Sequence, residues 1–148
     1  MKYDKPIVAI LLGAISSIPY EIFTRILVFL EIGKYSMYQL VSLMVTLDRP
    51  NSILGAVSSF IVSGSIATIF YYSLKKLDWD YLIIKSVVAS LISWLILESI
   101  FMWLIEGREL IPHRPINDYY SEMFGATLYG ITQGLLFEKY LLKRYIHR

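Results

Sequence analysis

The sequence contains no cysteine, which excludes disulfides, thiolate metal sites and thiol chemistry. Histidine is nearly as scarce, with only His113 and His147. Charge is thin as well: 18% of the 148 residues are Asp, Glu, Lys or Arg, against about a quarter in an ordinary soluble domain. The net charge of +2 is too small to argue for a nucleic-acid partner. There is no glycine-rich phosphate loop, no HExxH and no GxSxG. These gaps lead us to expect a non-enzymatic chain with no cofactor and no metal site.

Apolar residues make up 56% of the chain and are gathered into long runs separated by the charges. A helix needs about 20 mostly apolar residues to cross the hydrocarbon core of a bilayer. Four segments meet that length: about 7–30, 53–74, 82–105 and 119–142. Helices are the natural form because they satisfy their own backbone in lipid. Lys2 and Lys5 ahead of an apolar run resemble a signal peptide, but the run is too long and is broken by Glu21 and Arg25. Length and composition therefore predict one all-α domain over residues 1–148, an integral membrane four-helix bundle. The aromatic residues, twelve of them Tyr, suit interfacial belts.

Basic residues set the orientation. With both termini cytoplasmic, the inner side holds Lys2, Lys5, Lys75, Lys76, Lys85, Lys139, Lys143, Arg144 and Arg148. The outer side holds only Lys34, Arg49, Arg108 and Arg114. This bias fits a bacterial inner membrane. The short inner loop KKLDWD predicts a tight hairpin of the second and third spans. Between spans one and two, YSMYQLVSLMVTL (35–47) is too short to cross and reads as an interfacial helix; a re-entrant or buried loop helix is the alternative. The loop EGRELIPHRPIND, with two prolines, is expected to be irregular and exposed. The basic tail EKYLLKRYIHR is expected to prolong span four into the cytoplasmic interface.

Two stretches echo each other. DRPNS (48–52) and HRPIND (113–118) both carry Arg-Pro and then Asn before an apolar run with an early Gly-Ala. Pro resists helix upstream and Asn, Ser or Asp can cap the helix that follows. Two repeated helical hairpins would explain this, and so would convergence on a common helix start. The distance from Asn to Gly differs, Asn51 to Gly55 against Asn117 to Gly125.

Small residues recur four apart in each span, hence on one helix face: Gly13 and Ser17 in the first; Gly55, Ser59 and Ser63 in the second; Ser86 and Ser90 in the third; Ala126, Gly130 and Gly134 in the fourth, where GITQG is a GxxxG. Such stripes let helices approach closely, within one chain or across a homodimer or other membrane-protein partner. The stripe of span one continues into Glu21 and Arg25, and that of span three into Glu98; Glu122 enters span four. An ionisable residue in a membrane costs roughly 2.5–3.5 kcal/mol on insertion scales. These four are therefore expected to form one polar cluster, serving either as a cation, proton or ligand site or as satisfied structural glue. His113, near Glu106, Glu109 and Asp118, reads as a solvated loop residue because Pro112 breaks the helix that metal-ligand spacing needs.

LISWLILESIFMWLIEGRELIP, followed by ATLYGITQGLLFEKY, resembles the YqhR-like group of small four-span membrane proteins of spore-forming Gram-positive bacteria. The resemblance implies the topology and no activity. Two functions are weighed: a non-enzymatic bundle or complex component, and a minimal transporter using Glu21, Arg25, Glu98 and Glu122. An intramembrane enzyme ranks below both, for lack of a convergent nucleophile or metal set.

Overall fold

The computed structural model describes residues 4–142 and is all-helical over them. Lys2, the basic tail from Lys143 onward and His147 lie outside the described residues. Five α-helices follow one another: α1 (Lys5–Phe29), α2 (Met37–Thr46), α3 (Ser52–Leu77), α4 (Leu82–Leu104) and α5 (Ile116–Phe137), the last continuing through a wider π turn, Glu138–Leu142. Local chemistry explains the boundaries. Pro6 sits in the first turn of α1, where a missing N–H costs nothing. Asn51 caps α3, its Oδ1 accepting from the N–H groups of Ile53 and Leu54 at 3.0 Å each. The Lys85 ammonium donates to the carbonyls of Leu77 and Asp78, satisfying the end of α3.

The long helices stand in the order α3, α1, α5, α4, and small residues bring them together. Gly13 lies where any Cβ would enter Ala67 and the backbone of Ser63. Gly130 and Gly134 sit against Val87 and Ile83, where an added Cβ would meet backbone Cα atoms at 2.6 and 2.8 Å. Ser17, Ser59, Ser63 and Ala126 are buried along the same seams. Gly55 is buried too, but its neighbour is the Tyr38 backbone of α2 rather than another long helix. The GxxxG face is thus packed against α4 of the same chain.

Burial is inverted relative to a soluble bundle. Ile7, Leu11, Ile15, Ile18, Ile22 and Ile26 form a continuous exposed apolar stripe on α1, while Ser16, Ser17, Glu21 and Thr24 face inward. On α4, Ile84, Val88, Ile92, Leu95 and Ile96 are exposed and Ser86 and Ser90 buried. Large exposed apolar surface marks a membrane or partner face. Lys5–Phe29, Ser52–Leu77 and Leu82–Arg108 are long and apolar enough to cross a membrane. Tyr72 and Tyr81 lie exposed near one end of the bundle and Trp103 and Tyr120 near the other.

One expectation is corrected. The turn at 78–81 is short, yet α3 and α4 touch little and do not form a packed hairpin. Their small faces are turned to different partners, α3 to α1 and α4 to α5, and α2 lies on α3 over the space left between them. This leaves two packed hairpins, α1 with α3 and α4 with α5, but a two-fold relating them would require α3 and α4 to close as α1 and α5 do. The Arg-Pro motifs diverge as well: Arg49 is exposed and Arg114 buried, and Asn51 caps its helix whereas Asn117 lies inside the first turn of α5.

Candidate functional site

Every buried charged residue among those described, namely Glu21, Glu106, Arg114, Asp118 and Glu122, lies at the end of the bundle that carries α2. The single cluster expected from the sequence is divided. Glu21 pairs with Arg25 one turn along α1, as the spacing predicts, and Arg25 Nη2 also donates to Ser52 Oγ at 3.2 Å. The other carboxylate oxygen, Glu21 Oε2, accepts from the N–H of Tyr38 at 2.8 Å, and Thr24 Oγ1 accepts from the N–H of Met37 at 3.0 Å. α1 therefore supplies partners for the open N–H groups at the start of α2, and the negative charge suits that helix end. Gln39 adds a third bond, its Oε1 accepting from the Ser36 N–H at 3.0 Å.

This geometry separates two roles of Glu21. Glu21→Gln keeps an acceptor for Tyr38 and loses a half-exposed ion pair, so unfolding in detergent is expected to shift by no more than about 0.5 kcal/mol. Glu21→Ala removes the acceptor and is expected to cost about 1–2 kcal/mol, with faster hydrogen exchange at the amides of Met37 and Tyr38. Equal losses in the two variants would make the charge, not the cap, the contribution of this residue.

Glu98 does not join Arg25. Its partner is Arg114, whose guanidinium donates to Glu98 and Glu106 and is held between the rings of Phe101 and Tyr119, each 4.6 Å away. The Tyr119 hydroxyl donates to Glu106 Oε2 at 2.8 Å. The Arg114 side chain is completely buried. Burial alone would lower its pKa, but the two carboxylates outweigh burial and hold it above the ordinary arginine value. The reading of residues 106–118 as an exposed irregular loop holds for most of the segment but not for Glu106, Ile111, Arg114 and Asp118, which are buried. A tight turn, Glu106–Arg108, a left-handed Glu109 (φ 56°) and the buried Ile111 fold the segment inward around Arg114. A planar guanidinium suits this place because it stacks on rings and serves two carboxylates at once. Gly107, Arg108, Glu109, Leu110, Pro112, His113, Pro115, Ile116 and Asn117 face outward, whereas Glu106 is turned toward Arg114.

Glu122 belongs to a third arrangement. Its Oε2 accepts from the Tyr20 hydroxyl at 2.5 Å, joining α5 to α1. Gly125 makes this possible, because a Cβ there would run into the Tyr20 ring. Glu122 and Glu98 both face a cavity of about 90 Å³ between α3 and α4, roofed by Met37, Leu40 and Met44 of α2 and walled by Val62, Ile66 and Leu97. At its deeper end the Tyr129 hydroxyl donates to the Ser63 carbonyl at 2.9 Å, and Ser90 Oγ donates to the Ala126 carbonyl. Glu122 Oε1 and the indole nitrogen of Trp94 are buried without hydrogen-bond partners.

The site residues not anticipated are thus Arg114, Glu106, Tyr20 and Trp94. Charge counting carried a signal for the first: Glu98, Glu106 and Glu122 need a cation, and Arg25 is already matched by Glu21. Among the described residues no group of three His, Asp or Glu side chains comes together in a way that would hold a metal ion. No family model, curated protein or solved structure matches this chain.

Proposed function

We propose that the chain is a non-enzymatic integral membrane protein that crosses the bilayer four times with both termini in the cytoplasm. It serves as a small membrane-embedded binding component rather than as a conduction path. The fourth crossing is α5. At 22 residues it is about 33 Å long, and its polar residues Asp118, Ser121, Glu122 and Gln133 face the interior while Phe124 and Leu135 face outward. Its composition is polar because it lies at the centre of the bundle, between α1 and α4. Lipid is the first partner of the exposed faces. A homodimer or other membrane protein would meet those apolar faces and not the GxxxG stripe.

The observation that carries this reading is the distribution of charge along the bundle. Among the described residues all buried charges lie at the α2 end, the outer end in this topology. The inner end is packed with Leu12, Phe70, Tyr71, Leu74, Phe137 and Leu141, and the buried polar groups between it and the cavity, Ser86 and Gln133, carry no charge and bond to each other. A cation or proton path needs charged groups or water through that apolar end, so Glu21, Arg25, Glu98 and Glu122 act here as scaffold and cavity lining. Liposomes holding the purified protein are expected to show no proton or cation flux above protein-free liposomes, with Glu98→Gln equally silent. Flux that Glu21→Gln or Glu98→Gln abolishes would establish conduction and overturn this assignment.

A further inference from the structure

We propose that the cavity between α3 and α4 binds a single-chain neutral lipid through a hydroxyl group, held between Glu122 Oε1 and the indole N–H of Trp94. The assignment rests on the membrane reading above, because the open side of the cavity must face acyl chains. Three features lead to it. The first is the unpartnered pair itself. Glu122 is 4% exposed, and one carboxylate oxygen is spent on Tyr20 while the other meets no donor. Trp94 contributes a buried N–H with no acceptor. Ser90 bonds to the Ala126 carbonyl across the α4–α5 seam. One turn further toward α2 on each antiparallel helix, Trp94 and Glu122 therefore share a level.

The second feature is chemical. The missing group must accept from an indole N–H and complement a carboxyl oxygen. A hydroxyl does both, and does so whether that carboxyl is ionised or protonated. A phosphate or fatty-acid carboxylate would bring a charge into a low-dielectric cavity with no Lys or Arg in its lining, where an unpaired charge is costly. An ammonium has no lone pair for the indole. The third feature is shape. The cavity, about 90 Å³, is far too small for a helix about 10 Å across, and the apolar side chains of Met44, Val62, Ile66 and Leu97 along its wall suit a single alkyl chain. The polar pair sits toward the α2 end, so the hydroxyl lies on the outer side and the chain runs inward.

Trp94 is itself the reporter. With Trp79→Phe and Trp103→Phe it is the sole tryptophan of the full chain. The protein is reconstituted in phosphatidylcholine vesicles and titrated with a long-chain alcohol brominated at mid-chain, then with the brominated alkane of equal length. The alcohol is expected to quench Trp94 saturably, at a concentration about tenfold below that of the alkane. Glu122→Leu is expected to reduce the alcohol to the level of the alkane. Ile66→Phe, which fills the cavity and leaves the polar pair intact, is expected to abolish saturation. Equal, non-saturating quenching by both probes in every variant would mean ordinary bilayer contact and overturn the site. Saturable quenching by both at equal strength, sensitive to Ile66→Phe, would mean an apolar cavity whose polar pair is bridged by water, and would overturn the role of the hydroxyl. A chain that fails to enter the vesicles overturns the membrane reading and the site together, whereas an inserted chain without saturable quenching overturns the site alone.

Discussion

Arg114→Met is expected to lower the stability of the folded chain by about 3–5 kcal/mol, read as a shift in the denaturant midpoint in mild detergent. The size follows from what is left behind. Arg114 is fully buried and the side chains of Glu106 and Glu98 nearly so; without the guanidinium, the two carboxylates lose the cation they share. The packing of Phe101 and Tyr119 on the arginine is lost as well. Arg114→Lys is expected to recover only part of the loss, because an ammonium cannot serve two carboxylates and stack between two rings in one geometry. The decisive comparison is the triple variant Arg114→Met, Glu98→Gln, Glu106→Gln. Removing the whole ionic group at once takes away the uncompensated charges, so the triple variant is expected to be more stable than Arg114→Met alone. A triple variant less stable than the single one would show that Arg114 acts through packing, and that the ionic reading of this site is wrong.

The double change Gly130→Ala, Gly134→Ala is expected to separate α4 from α5 at a cost of several kcal/mol. Helix propensity predicts the opposite sign, since Ala is favoured over Gly by about 1 kcal/mol per residue inside a helix. Sterics win because the atoms in the way are backbone: Val87 Cα at 2.6 Å and Ile83 Cα at 2.8 Å from the new methyl groups. Backbone has no rotamer with which to give way, and overpacking at each site costs about 1–3 kcal/mol. In lipid the loss is not offset elsewhere, because helix association there rests on close contact rather than on hydrophobic burial. The Ser90 bond to the Ala126 carbonyl would lengthen with it. Loss of α4–α5 proximity, followed by a pair of fluorescent labels at Leu95 and Phe124 on the outward faces, is the direct measurement. An unchanged distance and an unchanged midpoint would mean that the seam has slack which the close approach at Gly130 does not indicate.

Much of this arrangement was legible in the order of residues. The helices are long, and three are apolar enough to cross a membrane, because long apolar runs leave no other way to satisfy the backbone. The small-residue stripes were readable because helical spacing places i and i+4 on one face, and each stripe is buried where spacing puts it. The pairing of Glu21 with Arg25 is equally local. Which stripe meets which was not readable: nothing in the sequence of α3 says that Gly55 faces α2 while Ser63 faces α1. That choice depends on the shapes of all the helices together.

The candidate site divides along the same line. Residue types and helical periodicity by themselves determined a helical chain with apolar faces outward and costly carboxylates turned in, since these follow from local geometry and from the cost of placing charge in lipid. Tertiary structure alone decided that Arg114 folds back from a proline-containing loop to serve Glu98 and Glu106. It also decided that Tyr20 reaches Glu122 across a seam opened by Gly125, and that α3 and α4 stand apart around a cavity. The physical reason is range. Each of these contacts joins residues far apart along the chain or on different helices, so no periodicity encodes it, and the partner of a buried charge is set by which side chains the packed backbones bring within hydrogen-bonding distance.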